Sequence, residues 1–512
     1  MLFNSYPFLF VFLPIALAGF FLIGSKNGAW ATGWLAAASL AFYAWWNPIY
    51  VLLLLASIVF NFVVGLAIVR ETHAARKRRL LGFGVAADLL LLGYYKYADF
   101  FVANLNHLNA GLPLPHVVLP LGISFFTFTQ IAFLADAYHG RAAEYRFAHY
   151  CAFVSYFPHL IAGPVLHHGE MIPQLGRAET YRWNWENMAV GLTIFSIGLF
   201  KKTVIADGIA VYVSPVFDAP APGTPLGAAE AWGGALAFTF QLYFDFSGYS
   251  DMAIGLSRLF GVWLPLNFNS PYKAASIIDF WRRWHMTLSR FLRDYLYVPL
   301  GGNRRGATRR YLNLMITMLL GGLWHGASWT FVAWGGLHGL YLLVNHAWRG
   351  LRERLGWRPA AGRAARIGAV LVTFLATVVA WVFFRSDTIE RAWSILQAMV
   401  GFNGLILPSR WLERLGAAGA WLAQHGVRFE NAPAFGGGTQ VNWIIVCALI
   451  AFLAPNTQEI LRAYRPALAV QSGVAAWWRW RPAPAWLALA ILAAALAVLS
   501  LTSPTEFLYF RF

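Results

Sequence analysis

The chain has 512 residues, of which 59% are hydrophobic, 17% aromatic and only 12% charged, and its mean hydropathy is +0.54. A soluble domain carries roughly 25% charge, so this sequence cannot cover itself with polar surface and takes a bilayer as its solvent. Its apolar stretches are continuous, which excludes a β-barrel with its alternation at every second residue. The formal net charge of +17 does not indicate nucleic acid, because Lys and Arg gather in short clusters beside apolar spans, the positive-inside pattern.

The opening "MLFNSYPFLFVFLPIALAGFFLIG" has no basic first segment and no A-x-A site, and reads as a retained first helix. At roughly 17–25 apolar residues per crossing, spans follow near 7–24, 30–47, 49–69, 80–104, 118–138, 186–213, 228–259, 310–324, 327–347, 367–386, 441–456 and 484–502. The fold class is therefore an all-α polytopic membrane protein. Two further apolar stretches, 148–166 and 277–300, are broken by Pro, His and charge, as re-entrant segments inside a bundle are. The clusters Arg70–Arg79 and Arg349–Arg366 belong on the cytoplasmic side, and counting crossings from them puts both chain ends outside. Residues 387–440 are then an external segment, in which "IERAWSILQAMVGF" is an amphipathic helix expected at the interface.

Cys151 and Cys447 sit in apolar runs and read as small core residues. There is no Walker loop, dinucleotide fingerprint, H-E-x-x-H or Cys/His metal set, so no metal is expected.

Chemistry concentrates in a few places. In "LLGGLWHGASWTFVAWGGLHG", His325 lies between Trp324 and Gly326 at the turn joining two spans whose far ends are basic. An ionisable residue at that depth is either functional or ties two helices by a hydrogen bond. His338, thirteen positions on, fits the tie. In "DFWRRWHMTLSRFLRDYLYVPLGGNRRG", Asp279, Arg282, Arg283 and His285 are packed among Trp281, Trp284 and tyrosines. That pattern suits either a basic mouth for an acidic donor or an interfacial helix with snorkelling arginines. Asp245 and Asp251 interrupt an apolar span, as a proton or cation site or as partners of the arginines in 279–306. The last residues, "PTEFLYFRF", place four aromatic rings after an apolar run; a tail resting in the aromatic belt of the interface is the plain reading.

Together, "LPLGISFFTFTQIAFLADAYHG", "SYFPHLIAGPV", "DFWRRWHMTLSRFLRDYLYVPLGGNR" and "LLGGLWHGASWTFVAWGGLHG" resemble, in order and spacing, the bacterial branch of the membrane-bound O-acyltransferases (MBOAT). That group includes alginate, peptidoglycan and cellulose O-acetylation subunits and the teichoic-acid D-alanylation subunit. The resemblance covers essentially the whole chain and implies one membrane domain over 1–512. Its fold would be a ring of roughly 11–13 transmembrane helices with re-entrant segments around a central tunnel. It implies His325 and His285 as catalytic residues, with Trp324, Gly326, Arg282, Arg283, Trp284 and Asp279 along the donor path. The donor would be acetyl-CoA or an acyl-carrier-protein thioester acting as substrate, with no bound cofactor. His325, with an ordinary pKa near ~6.5, would act as the base that an accepting hydroxyl needs.

The resemblance also gives the tail a use. In the teichoic-acid system a small partner peptide ends in F-x-Y-x-x-F, the pattern of Phe507, Tyr509 and Phe512 in the 503–512 tail. Tyr509 would then carry the acyl group, with Phe507 and Phe512 as anchors. The implied setting is a bacterial inner membrane with both termini periplasmic. Implied partners are a periplasmic SGNH-hydrolase-like acetyltransferase and a polysaccharide synthesis or secretion complex. A transporter or flippase for a cell-envelope precursor, and a structural scaffold for polymer secretion, are the readings from other classes.

Overall fold

In hydrocarbon the backbone must satisfy its own hydrogen bonds, and a helix does so within one segment. The computed structural model, described for residues 1–142, 146–161, 163–218, 226–357, 362–469, 476–502 and 508, meets every expected span with a helix. In chain order these are α1 (Phe8–Gly24), α2 (Gly28–Ala44), α3 (Ile49–Arg70), α4 (Ala74–Leu92), α5 (Ala98–Asn106) and α6 (Ile123–Tyr138). After the first broken stretch come α7 (Trp185–Ala210) and α8 (Ala228–Leu259). The second broken stretch leads to α9 (Gly306–His325), α10 (Trp329–Arg354), α11 (Arg363–Arg385), α12 (Ile389–Met399), α13 (Gly437–Leu453) and α14 (Pro484–Leu499). By length and apolarity α3, α7 and α11 can each cross a bilayer unaided. Others, such as α8 and α9, carry polar side chains that the surrounding protein buries.

The broken stretches are short helical pieces inside the bundle. Phe147–Ser155 and the single turn Phe157–Leu160 form the first, with His159 Nε2 donating to the Phe153 carbonyl at 2.8 Å. Ile277–Trp281, Met286–Leu292 and the π-helical turn Arg293–Tyr297 form the second. Helix α12 turns Ala392, Ile395, Ala398 and Met399 onto the protein and leaves Trp393 exposed. Beyond it, Ile406–Pro408 pairs in parallel with Arg428–Glu430, a small sheet the sequence did not suggest.

Helix α8 is the spine. Its Tyr249–Leu259 part belongs to an apolar cluster with α1–α4 and α6, and its Ala231–Phe246 part to another with α10–α13. It lies on α7 through glycines seven residues apart on both helices: Gly198 meets the Gly248 carbonyl, and Gly255 meets that of Gly191. Small residues at such a seam let backbones touch, which is how helices gain packing in lipid.

Candidate functional site

The site is built on the end of a helix. Helix α9 runs about 30 Å for its twenty residues at ~1.5 Å each, from the basic side to His325. Its last carbonyls have no partner within the helix, and the α4–α5 rod supplies them. That rod has a π-helical turn at Gly93–Tyr97. From it, the Tyr97 hydroxyl donates to Leu323 O at 2.9 Å, and Lys96 Nζ donates to Trp324 O and, at 3.2 Å, to His325 O. A lysine ammonium at a helix C-terminus is also favoured by the helix dipole. Both residues escaped the sequence reading; a lone lysine in an apolar run was the signal.

On the other flank α10 lies against α9 with almost no gap. A Cβ on Gly322 would overlap the Phe331 carbonyl, one on Gly335 the Met318 carbonyl, and one on Gly326 the Phe331 ring. Gly322 and Gly335 serve contact between backbones at the hairpin, and Gly326 makes room for a ring.

His325 is thus held at the hairpin tip, 6% exposed, inside an aromatic collar. The ring centroids of Trp334 and Phe384 are 5.1 and 5.3 Å from its own. Trp324 stacks on Phe128 at 5.1 Å and anchors the tip toward α6. His285 stands 6.4 Å from His325, centroid to centroid, so two histidines forty positions apart in sequence meet. His285 is fully buried and sits at φ 43°, a left-handed backbone that costs a non-glycine residue energy and often marks a functional constraint. Its Nδ1 donates at 3.1 Å to Asn267 Oδ1, which also accepts from the Thr287 hydroxyl at 3.0 Å. That bond fixes the orientation of the ring.

A cavity of about 700 Å³ opens on the basic side, lined by Trp281, Arg282, Met286, Arg290, Arg293 and Arg310. Met286 and Thr287, which also lines it, follow His285 directly. Trp281 touches Trp334 at 5.9 Å, the ring that packs on His325. The residues expected along the donor path divide here. Arg282 lines the cavity. Arg283 is bound to Asp279, Nε to Oδ1 at 2.8 Å, and together they fix the turn. Trp284 stacks on Phe280 at 5.7 Å and packs on Trp381 at 4.9 Å, in the aromatic core away from the cavity lining.

Two expectations need correction. His338 makes no interhelical hydrogen bond: both ring nitrogens lack a partner among the described residues, and Trp334 at 4.9 Å and Trp281 at 5.1 Å pack around the ring. Asp245 and Asp251 pair with lysines of α7, in place of the expected arginines. Lys202 Nζ lies 2.6 Å from Asp245 and 2.7 Å from Asp207, and Lys201 lies 2.8 Å from Asp251. Phe507, Tyr509 and Phe512 fall outside the described residues. Leu508 is buried, and its backbone N–H donates to the Asp245 carboxylate.

Against known proteins, the sequence profile of MBOAT, the membrane-bound O-acyltransferase family, matches residues 39–384. The chain belongs to this family. The match holds His285, His325 and Lys96, and ends at Phe384 in the collar. The chain is 46% identical over 435 residues to a peptidoglycan O-acetyltransferase of Helicobacter pylori, covering 80% of this chain and 81% of that one. It is 39% identical over 530 residues to a probable alginate O-acetylase of Azotobacter vinelandii, covering 100% of both. To the teichoic acid D-alanyltransferase of Bacillus subtilis it is 27% identical over 315 residues, covering 59% of this chain and 77% of that one. The protein is a membrane O-acyltransferase.

Proposed function

We propose that this acyltransferase takes an acetyl group from a thioester on the cytoplasmic side and passes it across the inner membrane to O-acetylate an extracytoplasmic polysaccharide. The observation that carries the reading is His325, buried at a braced helix end beside His285, one layer of rings behind an arginine-lined cavity. The thioester end of the donor enters that cavity past Arg282, Arg293 and Arg310. His325 takes the proton of the accepting hydroxyl as its oxygen attacks the thioester carbonyl. The C–S bond then breaks, and the leaving thiolate receives the proton from the imidazolium, so the base is regenerated. His285, its Nδ1 bound to Asn267, keeps the second imidazole oriented in the chamber. Moving only the acyl group spares the charged coenzyme a crossing of hydrocarbon.

The acceptor in this scheme is Tyr509. Its acetyl ester then meets a polymer hydroxyl outside, delivered with a periplasmic SGNH-hydrolase-like partner; the phenol leaves as the new ester forms. Support comes from the F-x-Y-x-x-F spacing and from Leu508, buried against Asp245. Both chain ends are periplasmic in this reading, on the argument from Arg70–Arg79 and Arg349–Arg366.

The test is transfer of labelled acetyl from acetyl-CoA in proteoliposomes, followed by intact-mass analysis of the C-terminal peptide. His325→Ala should lower transfer by at least about 100-fold while the protein melts normally. Tyr509→Phe should abolish the labelled peptide and polymer acetylation together. A Tyr509→Phe variant that acetylates polymer at the ordinary rate rules the tail out as carrier, and an active His325→Ala variant rules out the base.

A further inference from the structure

A second cavity lies beside the first, lined by none of the residues given a role in the transfer just described. It encloses about 1040 Å³. The two share Glu170, Leu468 and Ala469 as a common wall, so both open on the basic side. Arg177, Arg258, Arg462 and Arg465 line it, against the carboxylates of Glu170 and Glu186. Glu170 is already engaged, with both oxygens accepting from Arg290 at 2.6 and 2.9 Å.

Arg258, in the last turn of α8, is the decisive residue. It is 2% exposed, yet its Nε and Nη1 have no hydrogen-bond partner among the described residues. Only Nη2 is used, toward Glu186 Oε1 at 3.3 Å and Tyr464 O at 3.2 Å. Its guanidinium lies 4.1 Å from the centroid of the Trp263 ring, which holds the plane in place. Trp263 is fixed in turn: its Nε1 donates to Arg465 O at 3.0 Å and its backbone N–H to Gln174 Oε1 at 2.9 Å. Buried donors are satisfied in folded proteins, and an orphan on a charged group is the most costly kind. A fork of guanidinium N–H groups held over an indole, with three more arginines around the rim, matches the oxygens of a phosphate or pyrophosphate.

We propose that this second cavity is a phosphate-anion site, with Arg258 as its floor and Arg177, Arg462 and Arg465 as its rim. The phosphate can come from the nucleotide end of a coenzyme thioester whose acyl end reaches the first cavity across the shared wall. It can equally come from the headgroup of an anionic phospholipid. The binding chemistry is the same.

The test is a titration of the full-length protein in phosphatidylcholine nanodiscs with pyrophosphate, coenzyme A and pantetheine, which lacks phosphate. Pyrophosphate and coenzyme A should bind, and Arg258→Gln should weaken both by about tenfold or more, the ~1.4 kcal/mol of one charge-assisted bond. Pantetheine should not displace pyrophosphate. Because Arg258 is buried, the exposed pair Arg462→Gln with Arg465→Gln serves as a second variant and should weaken pyrophosphate severalfold without lowering the melting temperature. Repeating the titration in phosphatidylglycerol nanodiscs separates the sources. Loss of pyrophosphate binding there identifies the headgroup as occupant, and unchanged competition by coenzyme A identifies the donor. Equal pyrophosphate affinity in the wild type and both variants overturns the site. Since the readout is binding, a His325→Ala background gives the same answer whatever becomes of the proposed transfer.

Discussion

At the scale of single residues, Lys96 does most to fix the histidine. It spans the gap between α5's rod and α9's end, holding the Trp324 and His325 carbonyls. Lys96→Met should strip those carbonyls of their donor at about 1–3 kcal/mol for a buried unsatisfied group. The expected result is a lower melting temperature together with lower acetyl transfer, and Lys96→Arg should recover part of both. His325 was legible in the sequence because a histidine between Trp and Gly at a hairpin tip is unusual in lipid. Lys96 and Lys202 were equally unusual, but one stands alone in an apolar run and the other has only Lys201 beside it, so no neighbouring motif draws the eye. The partners they find, carbonyls and carboxylates from distant helices, exist only once the chain is folded. Lys202→Met tests the second lysine: it leaves the buried Asp245 and the half-buried Asp207 without their cation. A destabilisation of about 3–5 kcal/mol is expected in a denaturation melt, smaller when Asp245→Asn is combined with it.

At the scale of elements, the helices themselves were readable, because twenty apolar residues in a row admit few other structures. Which helix touches which was not. The paired glycines in "LLGGLWHG" and "AWGGLHG" mark close approach, yet only the folded hairpin tells Gly335 from Gly336. A Cβ on Gly335 meets the Met318 carbonyl, whereas on Gly336 its nearest neighbour is Leu319 Cδ2 at 3.5 Å. Gly335→Ala should therefore cost about 1–3 kcal/mol through overpacking and depress activity by tilting the tip. Gly336→Ala should be neutral or stabilising, because alanine favours the helix by about 1 kcal/mol. Thermal melts of the two variants side by side decide it. Residues 387–440 show the limit of pattern reading. Their parallel pair Ile406–Pro408 and Arg428–Glu430 is three residues long on each side, too short for any alternation to register.

For the whole molecule, the two apolar clusters meet along α8, and His325 lies in the half that carries α10 and α11. Its brace comes from the other half, through Lys96. The clamp is a lock as well as a support. A carrier that rocks one half against the other would have to break these bonds at every cycle and make them again, which raises the barrier to each stroke. In the transfer proposed above, the framework would stay put while the three heavy atoms of an acetyl group pass it, driven downhill by the free energy of the thioester. A transfer of that kind would have no use for a voltage or an ion gradient. With acetyl-CoA in excess, dissipating the membrane potential of proteoliposomes with an ionophore should leave the initial rate of acetyl transfer unchanged.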